Sequence, residues 1–199
     1  MAKAKSDTKG IFCLEGDWWG VKDRTSVEPT LRLLETTRPY KVPYFHHDVG
    51  THDEFHFYLQ KWTGRQFDDY PILYLAFHGK PGGIEVGEGR NNTLKLDHLA
   101  EQLEGACRGR VIHFGACRTL DINGHELNSF LRRTGACAVC GFRTDVHWLL
   151  SAAFDLLVLG YLQNVSFTKA GMGKLQRQLK QDAPGLRKTL EFRMWPKAE

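Results

Sequence analysis

Two short stretches hold the residue types that covalent catalysis needs. "ILYLAFHG" ends in His78 and Gly79, and "VIHFGAC" ends in Cys117. A free thiol is mostly protonated at neutral pH. An imidazole within reach can deprotonate it or hold the thiolate, then protonate a leaving amine. Gly79 has no side chain, so its backbone N–H can approach a carbonyl oxygen. With the N–H of Cys117 it would form an oxyanion hole. Other cysteines compete for the role: Gly-Ala-Cys occurs three times, at Cys107, Cys117 and Cys137, and Cys13 and Cys140 complete the five.

The elements that must position these groups alternate along the chain. "GIFCLEG", "YKVPYFHHDV", "PILYLAFHG", "RVIHFGA" and "ACAVCGF" are short apolar runs, the pattern of strands buried in a parallel sheet. Pro43 puts the second of them at an edge. Between them lie helical patterns: "SVEPTLRLLETT" with Ser26 as N-cap, "THDEFHFYLQKWT" starting at Thr51, "KLDHLAEQLEGA" stopped by Gly105 and "GHELNSFLRRTG" stopped by Gly135. An apolar helix follows from Val146, then a C-terminal helix broken at Pro184-Gly185. Such alternation predicts an α/β fold with a mostly parallel sheet, whose sites form at the carboxyl ends of the strands. By that rule Cys117 and His78 share one sheet edge if their strands are neighbours. Cys107 precedes its strand and falls at the opposite edge. Cys137 enters a strand, and Cys140 lies inside it or near its end.

Composition narrows the class. The chain has 199 residues, 42% of them hydrophobic and 25% charged, with a formal net charge of +4. That fits one domain over 1–199, with a core of about 11–163 and a basic helical segment over 165–199. From Val165 onward there are eight Lys or Arg against three Asp or Glu. A solvated helix face explains that excess, and no nucleic acid is expected as a partner. The charged start "MAKAKSDTKG" is not a secretory signal. "VHWLLSAAFDLLVLGYLQ" carries His147, Ser151 and Asp155, so it reads as a core or subunit-interface helix and not as a membrane span. Five cysteines without a disulfide spacing suit a reducing cytoplasm.

The paired motifs resemble the His-Gly and Ala-Cys blocks of the caspase-like cysteine peptidases (clan CD), the group that includes caspases, metacaspases, separase and small bacterial CHAT-type peptidases. In that group each block ends a strand, with a small antiparallel insertion and a helix between them. Here "GGIEVGEGRNNTLKL" and "LDHLAEQLEG" keep that order. "GACRG" at Cys107 is closer to the caspase pentapeptide, but it precedes a strand where the group needs it to follow one. The resemblance implies a three-layer α/β/α sandwich. It also implies a cysteine endopeptidase that forms a thioester acyl-enzyme on Cys117, with His78 as proton shuttle, Gly79 and Cys117 in the oxyanion hole, and no cofactor. A protein or peptide would be the substrate, with an activating partner or a homodimer as further company.

The S1 pocket of that group is built after the first, catalytic and later strands, which offers Glu15, Asp17 and Asp145. Carboxylates there would favour a basic P1 residue; Arg24, Arg118 and Arg143 keep an acidic P1 open. Asp145 also reads as the cap of the following helix. Trp18 and Trp19 are groove walls or core aromatics. The cluster His46, His47, His52 and His56 matches no zinc motif, and "CAVC" lacks a second pair, so no metal is expected. "KPGG" and "GEGRNN" read as a mobile loop beside the site. The competing reading is a catalytically silent module of the same fold that acts by assembly with a partner. A metal- or nucleic-acid-binding α/β domain is weaker still.

Overall fold

A computed structural model describes residues 8–20, 22–89 and 92–197. The charged start before Thr8 lies outside the described residues, as do Arg90 and Asn91 of the "GEGRNN" stretch.

The five apolar runs become parallel strands: β1 (Ile11–Glu15), β2 (Tyr44–Asp48), β3 (Ile72–Ala76), β7 (Val111–Phe114) and β8 (Ala138–Phe142). The central strands are buried along their whole length, which is why they read as unbroken apolar runs. A sixth strand, β9 (Phe192–Trp195), closes the sheet, giving the order β2-β1-β3-β7-β8-β9. It runs antiparallel to β8. This corrects the expectation of a purely helical C-terminal segment over 165–199. Phe192 and Met194 alternate inward while Arg193 and Trp195 stay half-buried, a period-2 pattern only four residues long.

The sheet has helices on both faces. Ile11, Cys13, Tyr74 and Ala76 face α1 (Glu28–Thr36), α5 (Trp148–Leu162), α6 (Lys169–Asp182) and α7 (Pro184–Thr189). Phe12, Leu14, Leu73 and Leu75 face α2 (His52–Thr63), α3 (Leu96–Gln102) and α4 (Gly124–Thr134). The architecture is a three-layer α/β/α sandwich on a mostly parallel sheet. Burying one Leu or Phe side chain contributes roughly 1.5–3 kcal/mol, so two such cores on one sheet oppose the ordering entropy of the chain.

Helix ends follow local chemistry. Thr51 caps α2 by accepting from the Glu54 N–H, and Asn123 and Glu126 form a capping box on α4, which ends at Gly135 in the left-handed region. Ser26 sits one residue outside the cap position of α1. Its hydroxyl accepts from the Glu28 N–H and donates to Glu15. Asp145 caps nothing, because α5 starts at Trp148 with His147 before it and no side-chain cap.

The "GGIEV" stretch builds the small antiparallel insertion that the resemblance implied, and "KPGG", read as a mobile loop, is the turn that enters it. Its strands are β4 (His78–Lys80), β5 (Gly83–Glu85) and β6 (Thr93–Lys95), all antiparallel. Pro81-Gly82 makes the turn, and the Gly82 N–H is held by the Thr119 carbonyl at 3.2 Å. Among the described residues, no helix is long and apolar enough to cross a membrane.

Candidate active site

β3 and β7 are parallel neighbours, with Leu75 beside Phe114. The chain leaves β3 through Phe77 and begins β4 at His78. It leaves β7 through Gly115-Ala116 to reach Cys117. The two exits touch. A Cβ on Gly79 would overlap the Cys117 carbonyl oxygen and lie 2.6 Å from Thr119 Oγ1, so glycine is required for the approach. Gly115 is equally constrained, since a Cβ there would lie 2.6 Å from the Tyr74 ring. Arg118, next to the cysteine, has φ 56°, a left-handed conformation that costs a non-glycine residue energy. The turn is fixed by Arg118 N–H to Thr144 O at 3.1 Å and Leu120 N–H to Phe142 O at 3.0 Å. Cys117 is half-buried, and its sulfur accepts from the Val146 N–H at 3.4 Å.

His78 is oriented from the other side. Its Nε2 hydrogen-bonds the Trp18 carbonyl oxygen. A carbonyl only accepts, so Nε2 carries the proton and the neutral ring leaves Nδ1 as the basic nitrogen. Trp18 is held in turn by Glu15, whose Oε1 accepts from the indole N–H at 2.5 Å. Trp18 meets Trp148 edge-on at 4.6 Å and His78 at 5.4 Å, and Trp19 lies 6.3 Å from His78. Both tryptophans flank the histidine, but only Trp18 packs on the core, while Trp19 is exposed. Sequence reasoning missed the Trp18 carbonyl; the only available signal was its place after the first strand, at the same sheet edge.

The carboxylates named for S1 divide. Glu15 is 2% exposed and fully engaged. Besides Trp18 it accepts from Ser26 Oγ at 2.6 Å, Val27 N–H at 2.8 Å and His46 Nε2 at 2.6 Å. Asp17 is exposed at the rim of a 310 Å³ cavity lined by Glu15, Asp17, Asp23, Glu28 and Asp48, with Arg24 and His46. Asp145 is exposed on the segment between β8 and α5. Arg118 and Arg143 both pair with Asp121, at 3.5 and 3.6 Å.

Glu15, His46 and Asp48 bring donor atoms within 4.8 Å of one another and are the residues that could hold a metal. Glu15 and His46 already bond each other directly, so the group is satisfied as it stands. Burial works to lower the His46 pKa, but the hydrogen bond and charge of Glu15 outweigh it and raise the value. The remaining histidines disperse: His47 stacks on Tyr58 at 4.1 Å and His56 bonds Gln60. Cys137 donates to the Phe167 carbonyl, apart from Cys140.

Cys107 is fully buried before β7, and burial pushes its thiol up to about 12 against the opposing charge of Arg110. A Cys–His contact lies inside the sandwich. His113 Nδ1 is 3.3 Å from Cys140 Sγ, and its Nε2 is 2.7 Å from Asp155, which also accepts from Tyr74 OH at 2.8 Å. His113 and Cys140 are 0% exposed.

The fold is a three-layer α/β/α sandwich in which His78 and Cys117 follow adjacent parallel strands. The chain belongs to a family of unknown function (DUF6642), matched over residues 8–196. No curated protein matches it. Among solved structures it is similar to caspase-1 from Spodoptera frugiperda, with 13% identity and a TM-score of 0.49, over 80% of this chain and 70% of that one.

Proposed function

We propose that the protein is a cysteine endopeptidase. Cys117 attacks the scissile carbonyl, His78 Nδ1 takes the thiol proton and delivers it to the leaving amine, and water then hydrolyses the thioester. The Trp18 carbonyl holds the histidine tautomer, and the N–H groups of Gly79 and Cys117 receive the oxyanion. The observation that carries this reading is the close approach of the Gly79 backbone to the Cys117 carbonyl, which brings the two strand ends together. The acidic cavity next to Trp18 supports a basic P1 residue, with Asp17 as its accessible carboxylate because Glu15 is already saturated.

The test is labelling with peptidyl acyloxymethyl ketones carrying Arg, Lys or Asp at P1, with the adduct mapped by mass spectrometry. The reading expects an adduct on Cys117 from the basic probes, with labelling slowed roughly 10²–10⁴-fold in His78→Ala. Adducts spread evenly over several cysteines would refute it.

A silent interaction module is the second reading. Trp19 at 62% exposure and Leu149 at 67% leave apolar surface near the site, as a docking face would. A partner that binds Trp19→Ala/Leu149→Ala as tightly as the native chain would remove that support.

A further inference from the structure

One cavity is lined by neither His78 nor Cys117. It has a volume of about 520 Å³ and lies where α6, α7 and β9 meet the end of β8. Its charged lining is Arg143, Arg187, Lys188, Arg193 and Lys197 against the single carboxylate Glu191. Arg143 shares its charge with Asp121 and, at 4.0 Å, with Glu191. Arg187 and Lys188 make no ion pair among the described residues.

Arg193 and Lys197 are held in place. Arg193 donates from Nη1 to the carbonyls of Leu120 and Ile122, and its guanidinium lies 5.3 Å from the Trp195 ring centre. Lys197 packs over the same ring at 5.5 Å. Like charges gathered in a concave site repel one another unless an anion joins them. Burial, followed by the charge of Arg143, lowers the Arg193 pKa.

The geometry points to a binding site for a small molecule carrying several phosphate groups. Guanidinium forks match phosphate oxygens in pairs, and lysines add point charge. The volume suits a compact ligand, and a concave site walled by two helices and an edge strand favours such a ligand over an extended duplex. Occupancy would be felt at the cysteine. An anion competes with Asp121 for Arg143, which opens the segment containing Thr144 and Val146. Those two residues hold Arg118 and the Cys117 sulfur. Binding does not depend on the peptidase reading; its meaning as regulation does.

The experiment is calorimetric titration of the full chain with tripolyphosphate at constant ionic strength. Citrate and a short DNA duplex serve as comparison ligands. Arg187→Ala/Lys188→Ala is the variant, its fold checked by its melting curve. The site predicts saturable one-to-one binding of tripolyphosphate, weaker by about tenfold or more for citrate and for the variant. It also predicts a change of about fivefold or more in iodoacetamide alkylation of Cys117 at saturation. Absence of saturable binding, or equal affinity in a folded variant, overturns the site. Duplex binding without tripolyphosphate binding overturns it in favour of a nucleic-acid surface. Binding that leaves Cys117 alkylation unchanged overturns the coupling. Alkylation does not require turnover, so a protein that fails to cleave peptides leaves this test intact.

Discussion

The molecule holds a Cys–His contact inside the sandwich and a proposed Cys–His pair at the sheet edge, and the two differ in almost every respect that matters. His113 and Cys140 touch at 3.3 Å, and Asp155 stands behind the imidazole with Tyr74 behind it. By contact geometry alone this is the better triad. Yet both side chains are sealed between the sheet and α5, where no substrate carbonyl reaches. His78 and Cys117 sit half-buried at the carboxyl edge, each partly engaged by backbone groups, with the strained Arg118 beside the thiol. A nucleophile needs a base, an oxyanion site and access together. The buried pair lacks the last two. Its polar groups instead satisfy one another in a medium where an unpaired group would cost several kcal/mol.

The comparison is broken or sharpened first at the buried pair. His113→Leu takes the imidazole from the buried Asp155 and Cys140 and leaves Asp155 only its bond from Tyr74, at an expected cost of about 3–5 kcal/mol in denaturant unfolding. A cost below about 1 kcal/mol would mean that the network does not hold the layers together. At the edge pair, Gly79→Ala forces the chain off the Cys117 carbonyl. The expected loss is about 1–3 kcal/mol of stability, and a loss of probe labelling on Cys117 out of proportion to the unfolded fraction. Normal labelling would mean that the two strand ends are not one site.

The smallest effect is the pH dependence. Burial alone would lower the His113 pKa, but Cys140, Asp155 and their hydrogen bonds raise it to about 10. A group whose folded pKa exceeds its unfolded value near 6.5 stabilises the fold fully below that value and loses its contribution as pH rises toward 10. Stability should therefore fall by roughly 1 kcal/mol between pH 7 and 8, where most unfolded thiols are still protonated. In His113→Leu this slope should vanish. A wild-type stability that rises over the same interval would contradict the account.

The sequence made the edge pair legible because both members end apolar runs and stand beside Gly or Ala. Parallel strands and helix stops were equally plain. The buried pair was not legible: His113 sits inside "VIHF", and its meeting with Cys140 depends on strand register, which no letter encodes. Asp155 is brought there by the rotation of α5. The Trp18 carbonyl was invisible for a simpler reason, because every residue but its role in space has the same backbone oxygen. β9 was hidden by its length and by the basic helical sequence before it. Glu15 was chosen by its position in the chain, and only the structure reveals the four donors that occupy it.

The most direct test of the central claim is iodoacetamide alkylation of the native protein at neutral pH, with each cysteine followed separately by mass spectrometry. The account predicts that Cys117 reacts first and slows by about tenfold or more in His78→Ala, while Cys140 reacts no faster than the protein unfolds. Faster reaction of Cys140 than of Cys117, or a Cys117 rate indifferent to His78, would contradict it.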